Sequence, residues 1–147
     1  MVRRALIPAP GLLILALLPL VAAGCGDSPS SPSGYAPFSQ IDLVFGDGAS
    51  AETGKTLTTN YNGWLYDADA PDKKGVQFAS SVTSGQMVFV AGSGEVIAGW
   101  DKGVIGMREG GVRRLIIPPS LGYGANRYSI IPPNATLVFE LELLKVE

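Results

Sequence analysis

The sequence predicts an α+β domain, an antiparallel sheet with one short helix against its apolar face. Three observations lead there. Between Ile41 and Val146 several segments alternate apolar and polar residues with a period of two, the pattern of strands with one face packed and one wet. Against them stands one glycine-punctuated stretch, Gly94 to Met107, in which Ile97, Trp100 and Val104 fall at i, i+3 and i+7 on one helical face. Glycine (19) and proline (11) are also numerous for 147 residues, which suits the turns of a strand-rich chain.

The chain opens on a short basic stretch, Met1-Val-Arg-Arg. Leu6 to Ala23 is then apolar apart from prolines and one glycine, and Ala22-Ala23-Gly24 lead into Cys25. Charge, length and small exit residues predict a secretory signal over residues 1–24. The uninterrupted apolar part is short for a spanning helix, and Pro8, Pro10 and Pro19 weigh further against one. Small residues directly before a lone cysteine resemble the bacterial lipobox, although Ala22 stands where that pattern prefers leucine. The expectation is an exported chain, lipid-anchored through Cys25 to a membrane of the bacterial cell envelope and facing the periplasm or the outside. Acyl chains hold firmly there, at about 0.8 kcal/mol per buried methylene. Residues 25–39 include Ser-Pro-Ser-Ser-Pro-Ser-Gly and have too little apolar surface to fold alone, so they read as a tether. The folded domain is expected over 40–147.

Within it, Ile41, Leu43 and Phe45 alternate up to Gly46-Asp-Gly48, a strand followed by a turn. Lys55 to Tyr66 is a longer strand with Leu57, Thr59 and Tyr61 on one face and Thr58, Asn60 and Asn62 on the other. Gly63 inside it marks a bulge or a close backbone approach. Asp67 to Gly75 is a hairpin loop. Its three aspartates lack the bidentate glutamate of a calcium loop, and Pro71 sits beside a would-be ligand, so a solvated loop and no metal site are expected.

Val76 to Ser80 and Gln86 to Val90 are further strands, with Met87 and Phe89 on one face of the second. Gly92-Ser-Gly leads into the helix, with Ser93 as its N-cap and Glu95 near the positive end of its dipole. Val112 to Ile117 is a strand whose Arg113-Arg114 pair reads as an edge or a solvent face. Residues 118–133 form a long loop, too apolar for disorder because of Tyr123, Tyr128, Ile130 and Ile131. It is expected to fold over something. Ala135 to Val146 is the last strand, with Leu137, Phe139, Leu141 and Leu143 on one face and Glu140 and Glu142 opposite.

Composition removes several kinds of chemistry. A net charge of −2 with no basic run longer than a pair argues against nucleic acid as a partner. The chain has no histidine, which excludes histidine triads, imidazole metal ligation and histidine proton shuttling. A single cysteine excludes intrachain disulfides and any Cys-x-x-Cys site. What remains is an apolar face carrying Tyr61, Phe78, Met87, Phe89, Trp100 and Phe139, joined by Tyr123 and Ile131 from the long loop. One helix is small cover for so many rings. Either Trp100 fills an aromatic-heavy core, or it floors a shallow pocket with tyrosine hydroxyls and a loop amide as polar handles.

Six segments then bear on that choice: Tyr61-Asn-Gly, Phe78-Ala-Ser-Ser, Gly94-Glu-Val-Ile-Ala-Gly-Trp100, Tyr123-Gly-Ala, Ile130-Ile-Pro-Pro and Ala135-Thr-Leu-Val-Phe-Glu-Leu-Glu-Leu. In this order and spacing they resemble the FKBP-type peptidyl-prolyl cis–trans isomerases, over residues 38–147. The resemblance implies an antiparallel half-barrel sheet wrapped around one short helix, and an enzyme that rotates X–Pro bonds in exported proteins with no cofactor. It makes Trp100 the floor of a prolyl pocket and Tyr61, Phe78, Trp100, Tyr123 and Phe139 its catalytic set. Met87, Val96, Ile97 and Ile131 become substrate-binding residues, with the Ile97 backbone N–H and the Tyr123 hydroxyl donating to substrate carbonyls.

The partners implied are proline-containing polypeptide segments and macrolide immunosuppressants, met by a tethered monomer. The sequence also departs from the family's pattern. Ala79 stands where an aspartate usually follows the pocket phenylalanine, Met87 where a phenylalanine is common, and Arg127-Tyr128 in a slightly shortened loop that often carries histidine. The missing carboxylate keeps open a second reading, a low-turnover proline-peptide binding module or chaperone-like lipoprotein.

Overall fold

The computed structural model describes residues 35–147; the expected leader, Cys25 and the tether up to residue 34 lie outside the described residues. Six strands form one antiparallel sheet: β1 (Ser39–Val44), β2 (Thr56–Tyr66), β3 (Lys74–Ser80), β4 (Met87–Val90), β5 (Val112–Ile117) and β6 (Leu137–Val146). Among the described residues two α-helical pieces interrupt them, a single turn α1 (Ser81–Ser84) and the helix α2 (Ala98–Val104), along with short 3-10 turns at Pro71–Lys73 and Pro119–Leu121. The sheet runs β1-β5-β6-β2-β3, and β4 pairs with β2 as well. The expected class, an antiparallel sheet around one short helix, is what the chain forms.

The long strand β2 makes this arrangement possible. One edge pairs with β6 from Leu57 opposite Val146 to Leu65 opposite Leu137. The other edge is shared, with β4 along Thr56 to Thr59 and β3 along Asn62 to Tyr66. α1 is the corner between these two partners. The Ser80 hydroxyl caps it by accepting from the Val82 N–H, and the Ser81 Oγ accepts from the Tyr61 N–H at 3.1 Å, filling the gap in the ladder between β3 and β4. Four residues carry no readable helical period, so this turn is not foreseen from the residue pattern.

On the concave face Leu57, Phe89, Leu115, Ile117, Leu137, Leu141 and Leu143 are buried against Trp100 and Val104 of α2. The helix approaches β5 closely because Gly99 and Gly103, one turn apart, have no side chains. A Cβ on Gly99 would stand 2.5 Å from Ile117 Cγ2, and one on Gly103 2.5 Å from Leu115 Cδ1.

Three expectations need correction. α2 starts at Ala98, and Ser93 is not its N-cap. Gly92 and Gly94 adopt φ of +76° and +79°, conformations that a right-handed helix cannot continue through. Ser93 instead donates its hydroxyl to the Val90 carbonyl, and Glu95 accepts from the Val90 N–H. The carboxylate that organises this loop is Asp101, which accepts from the Gly92 and Gly94 N–H groups at 2.9 Å each.

Arg113 is neither at an edge nor in solvent. β5 lies between β1 and β6, and Arg113 is 6% exposed on the concave side. It bonds both oxygens of Asp42, its partner in register on β1, at 2.6 and 3.0 Å. Its Nη1 donates to the Gly103 and Ile105 carbonyls at 2.8 and 3.0 Å, capping the C-terminal end of α2. Arg114 takes the opposite face, where it and Lys74 share Glu140 and it reaches Asp72.

That outer face is less uniformly wet than the alternation suggests. Val138 is fully buried there, in register with Trp64 and Ile116, and Lys74 Nζ sits 4.4 Å above the Trp64 ring. At the other extreme, β1 forms as expected but turns its apolar residues outward, because Asp42 takes the inward position; Phe45 beyond its end is 84% exposed.

Candidate functional site

A cavity of about 710 Å³ opens among the concave face, the start of α2 and the 118–133 loop. All nine side chains assigned to the site from sequence line it. β2 supplies Tyr61, β3 Phe78, β4 Met87, and β6 Phe139. Val96 and Ile97 come from the turn before α2, Trp100 from its first turn, and Tyr123 and Ile131 from the long loop. Cys25, the proposed lipidation site, lies outside the described residues.

The walls are built by close approach of rings. Gly63 is both things its place in a strand suggests, a register break and a close contact. A Cβ there would stand 2.6 Å from Phe139 Cε1 and 3.0 Å from two atoms of the Phe78 ring. Without it those rings meet edge to face, centroids 5.4 Å apart at 87°. Phe139 in turn stands edge-on to Trp100 at 5.1 Å and 88°. Tyr61 and Phe89 reach the same indole at 5.4 and 5.8 Å. Edge-to-face pairs of this kind add about 0.5–1.5 kcal/mol each beyond the area they bury, and they fix orientation. Trp100 is therefore both of the things the sequence left open. It is a 5%-exposed member of the core, and it also lines the cavity. Its Nε1–H has no acceptor among the described residues.

The polar handles sit at the rim. Ile97 is the residue before α2, with its carbonyl accepting from Trp100 N–H at 2.8 Å and Asp101 N–H at 3.3 Å. That fixes its backbone. No carbonyl among the described residues accepts from its own N–H, one of the donors that every helix start leaves over. Tyr123 is half-buried, and burial first, then the neighbouring Tyr128 and Tyr61 phenols, raise its pKa above the usual 10.0. It is thereby held as a neutral O–H donor.

The long loop does fold over something. Its Pro119–Leu121 turn and an Asn134 N–H bond to the Gly124 carbonyl at 2.7 Å bring its two ends together, and Ile131 packs inward at 2% exposed.

Ala79, singled out as a departure, lines the cavity too. So do four residues that were not assigned to the site: Glu95, Tyr128, Ser129 and Ile130. Tyr128 and Ile130 carried a signal, being large apolar residues in a loop expected to cover something. Ser129 carried none, since its place at the rim depends on a left-handed φ of 53°. Glu95 was read as a helix-dipole residue, and the misplaced helix start hid its position. With apolar walls, phenols and a loop amide, the site can bind and orient an apolar group flanked by carbonyls. It offers no nucleophile–base pair.

Comparison with known proteins agrees in sequence and in shape. The model of a family described as FKBP-type peptidyl-prolyl cis-trans isomerase matches residues 48–144. An FK506-binding protein of Neisseria meningitidis serogroup B is 48% identical over 107 residues, covering 71% of this chain and 92% of that one. FK506-binding protein 1 of Gibberella zeae is 44% identical over 105 residues, 71% of this chain and 93% of its own. Among solved structures, AtFKBP13 superposes with a TM-score of 0.64 at 32% identity, covering 78% of this chain and 97% of that one. FkpA from Escherichia coli gives 0.62 at 33% identity, covering 80% of this chain and 53% of its own.

Proposed function

Because this chain belongs to the FKBP-type peptidyl-prolyl cis–trans isomerase family and is an enzyme of that kind, we propose that it rotates X–Pro bonds in exported proteins and so assists their folding. The observation that supports this site for the work is convergence. Nine residues from four strands, a helix and two loops line one cavity around a buried indole. The proline ring packs on Trp100 between Tyr61, Phe78, Met87 and Phe139. Val96 and Ile131 close the sides, while the Ile97 N–H and the Tyr123 O–H hold the carbonyls that flank the ring.

The reaction makes and breaks no covalent bond. Its barrier of about 18–20 kcal/mol is amide resonance, which holds the X–Pro bond planar. A cavity that excludes water disfavours the more polar planar amide, and fixed donors favour the twisted one. Every ~1.4 kcal/mol of that difference is about tenfold in rate. A protease-coupled or NMR-exchange assay on an X–Pro peptide tests the assignment, with acceleration over the uncatalysed reaction as the expected result. A peptide that binds without acceleration would favour the second reading instead, a low-turnover module or chaperone-like lipoprotein that holds proline segments. Ala79 on the cavity wall is the observation behind that alternative. The names of the relatives support macrolides such as FK506 as ligands of the same cavity.

The setting is proposed from the leader alone. Residues 1–24 direct export, Cys25 carries the lipid, and the residues between Cys25 and the start of β1 tether a monomeric domain to the envelope membrane. Cell fractionation of Cys25→Ser tests this. The variant should leave the membrane fraction, and one that stays there would remove the anchor from the account.

A further inference from the structure

The backbone around Tyr123 is held, the Gly122 and Gly124 N–H groups both donating to the Pro119 carbonyl at 3.1 and 2.9 Å, so what is left to steady is the ring. Gly124 stands at φ +61°, and the Tyr123 side chain is only half-buried. What lies flat against it is Tyr128. The two rings stack with centroids 4.6 Å apart and planes 6° from parallel. Tyr128 is itself 57% exposed, so burial does not hold it in place. Its backbone does: the Tyr128 N–H donates to the Ile131 carbonyl at 3.2 Å, and the Ile131 N–H returns to the Tyr128 carbonyl at 2.9 Å. Ile131 is in turn packed into the core at 2% exposed. A mechanical line therefore runs from the core through Ile131 and the Tyr128 backbone to the face of the Tyr123 ring.

We infer that Tyr128 is a positioning residue, whose stacked ring sets the plane of Tyr123 and so aims the Tyr123 hydroxyl at the substrate carbonyl. The inference rests on the donor role proposed for Tyr123. Stacking needs the ring of Tyr128 and not its hydroxyl, so the two can be separated by substitution. Because Tyr128 lies mostly in solvent, its truncation leaves the fold intact, which a denaturation midpoint checks.

The test is a double-mutant cycle in the isomerase assay with Tyr128→Ala, Tyr128→Phe, Tyr123→Phe and the pair Tyr123→Phe/Tyr128→Ala. Tyr128→Ala is expected to lower kcat/KM on the order of three- to tenfold, the range that one lost aromatic pair corresponds to. Tyr128→Phe should retain the wild-type rate. Once Tyr123 is phenylalanine, Tyr128→Ala should cost nothing more. Ultraviolet titration gives a second readout, in which Tyr128→Ala should bring the Tyr123 phenol back toward 10.0, the transition being assigned by its loss in Tyr123→Phe. Equal losses from Tyr128→Ala in both backgrounds, or a wild-type rate in Tyr128→Ala, would overturn the positioning role. If Tyr123→Phe alone leaves the rate unchanged, the donor reading fails first and takes this inference with it.

Discussion

Position 79 is where a single side chain has the most leverage on this site. Ala79 pairs with Gly63 across β2 and β3 and lines the cavity that Tyr61 also lines. An alanine gives the Tyr61 hydroxyl no carboxylate to bond at that position, so the ring is oriented by its edge-on contact with Trp100 and its hydroxyl is not. Ala79→Asp is expected to raise turnover on an X–Pro peptide severalfold, up to about the tenfold that ~1.4 kcal/mol conveys. Unchanged turnover in a folded variant would mean that Ala79 is not the limiting departure. At this scale most of the site was legible. The ordered strings around Tyr61, Phe78, Trp100, Tyr123 and Phe139 specify residues that must meet for any of them to be useful, and the nine side chains do meet. Tyr128 was not legible as a partner of Tyr123. Its stack depends on a loop closing through a left-handed serine, and no side-chain pattern announces that.

At the scale of the element, α2 works through what it lacks. Gly99 and Gly103 weaken an isolated helix, since each glycine costs about 1 kcal/mol relative to alanine. Here they let the helix axis drop onto β5, which sets the depth of Trp100 in the sheet. Gly99→Ala brings two effects into competition, and the magnitudes decide. Propensity favours alanine by about 1 kcal/mol, while a Cβ placed 2.5 Å from Ile117 Cγ2 overpacks the core at a typical cost of about 1–3 kcal/mol. The expected outcome is net destabilisation in urea, together with a fall in activity as the helix and its indole are lifted. A variant more stable than wild type would show that the helix can ride higher without loss.

The same element explains why its start was misread. Helical spacing correctly placed Trp100 and Val104, but the start was set by two left-handed glycines and by Asp101 reaching back to them, and the finish by Arg113. Such contacts run between segments, whereas a sequence window sees only neighbours. Arg113-Arg114 looked like a solvated pair, yet adjacent residues of a strand face opposite ways. One of the two was bound to point inward, and only the register with Asp42 shows which.

For the molecule as a whole, the absence of histidine makes a prediction about pH. Aspartate and glutamate ordinarily titrate near 4, and tyrosine and lysine near 10 or above, which leaves the described domain without a side chain whose usual value lies between. Measured by NMR exchange, which needs no coupling protease, kcat/KM should be flat from about pH 6 to 9. The upper limb belongs to Tyr123. Its folded pKa is raised by burial and by the Tyr128 and Tyr61 phenols, so the hydroxyl stays protonated, and able to donate, beyond the usual 10.0. The sign for stability is the same. The folded state holds that proton more tightly than the unfolded chain, so this contribution is fully present below 10.0 and is lost as pH rises through the folded value. Activity and stability should therefore fall together only above 10.0, and Tyr123→Phe should abolish the part of the activity loss that this phenol causes. An inflection between pH 6 and 8 on a substrate with no titrating group would require a proton-transfer step, which a purely conformational rotation in an apolar cavity does not contain.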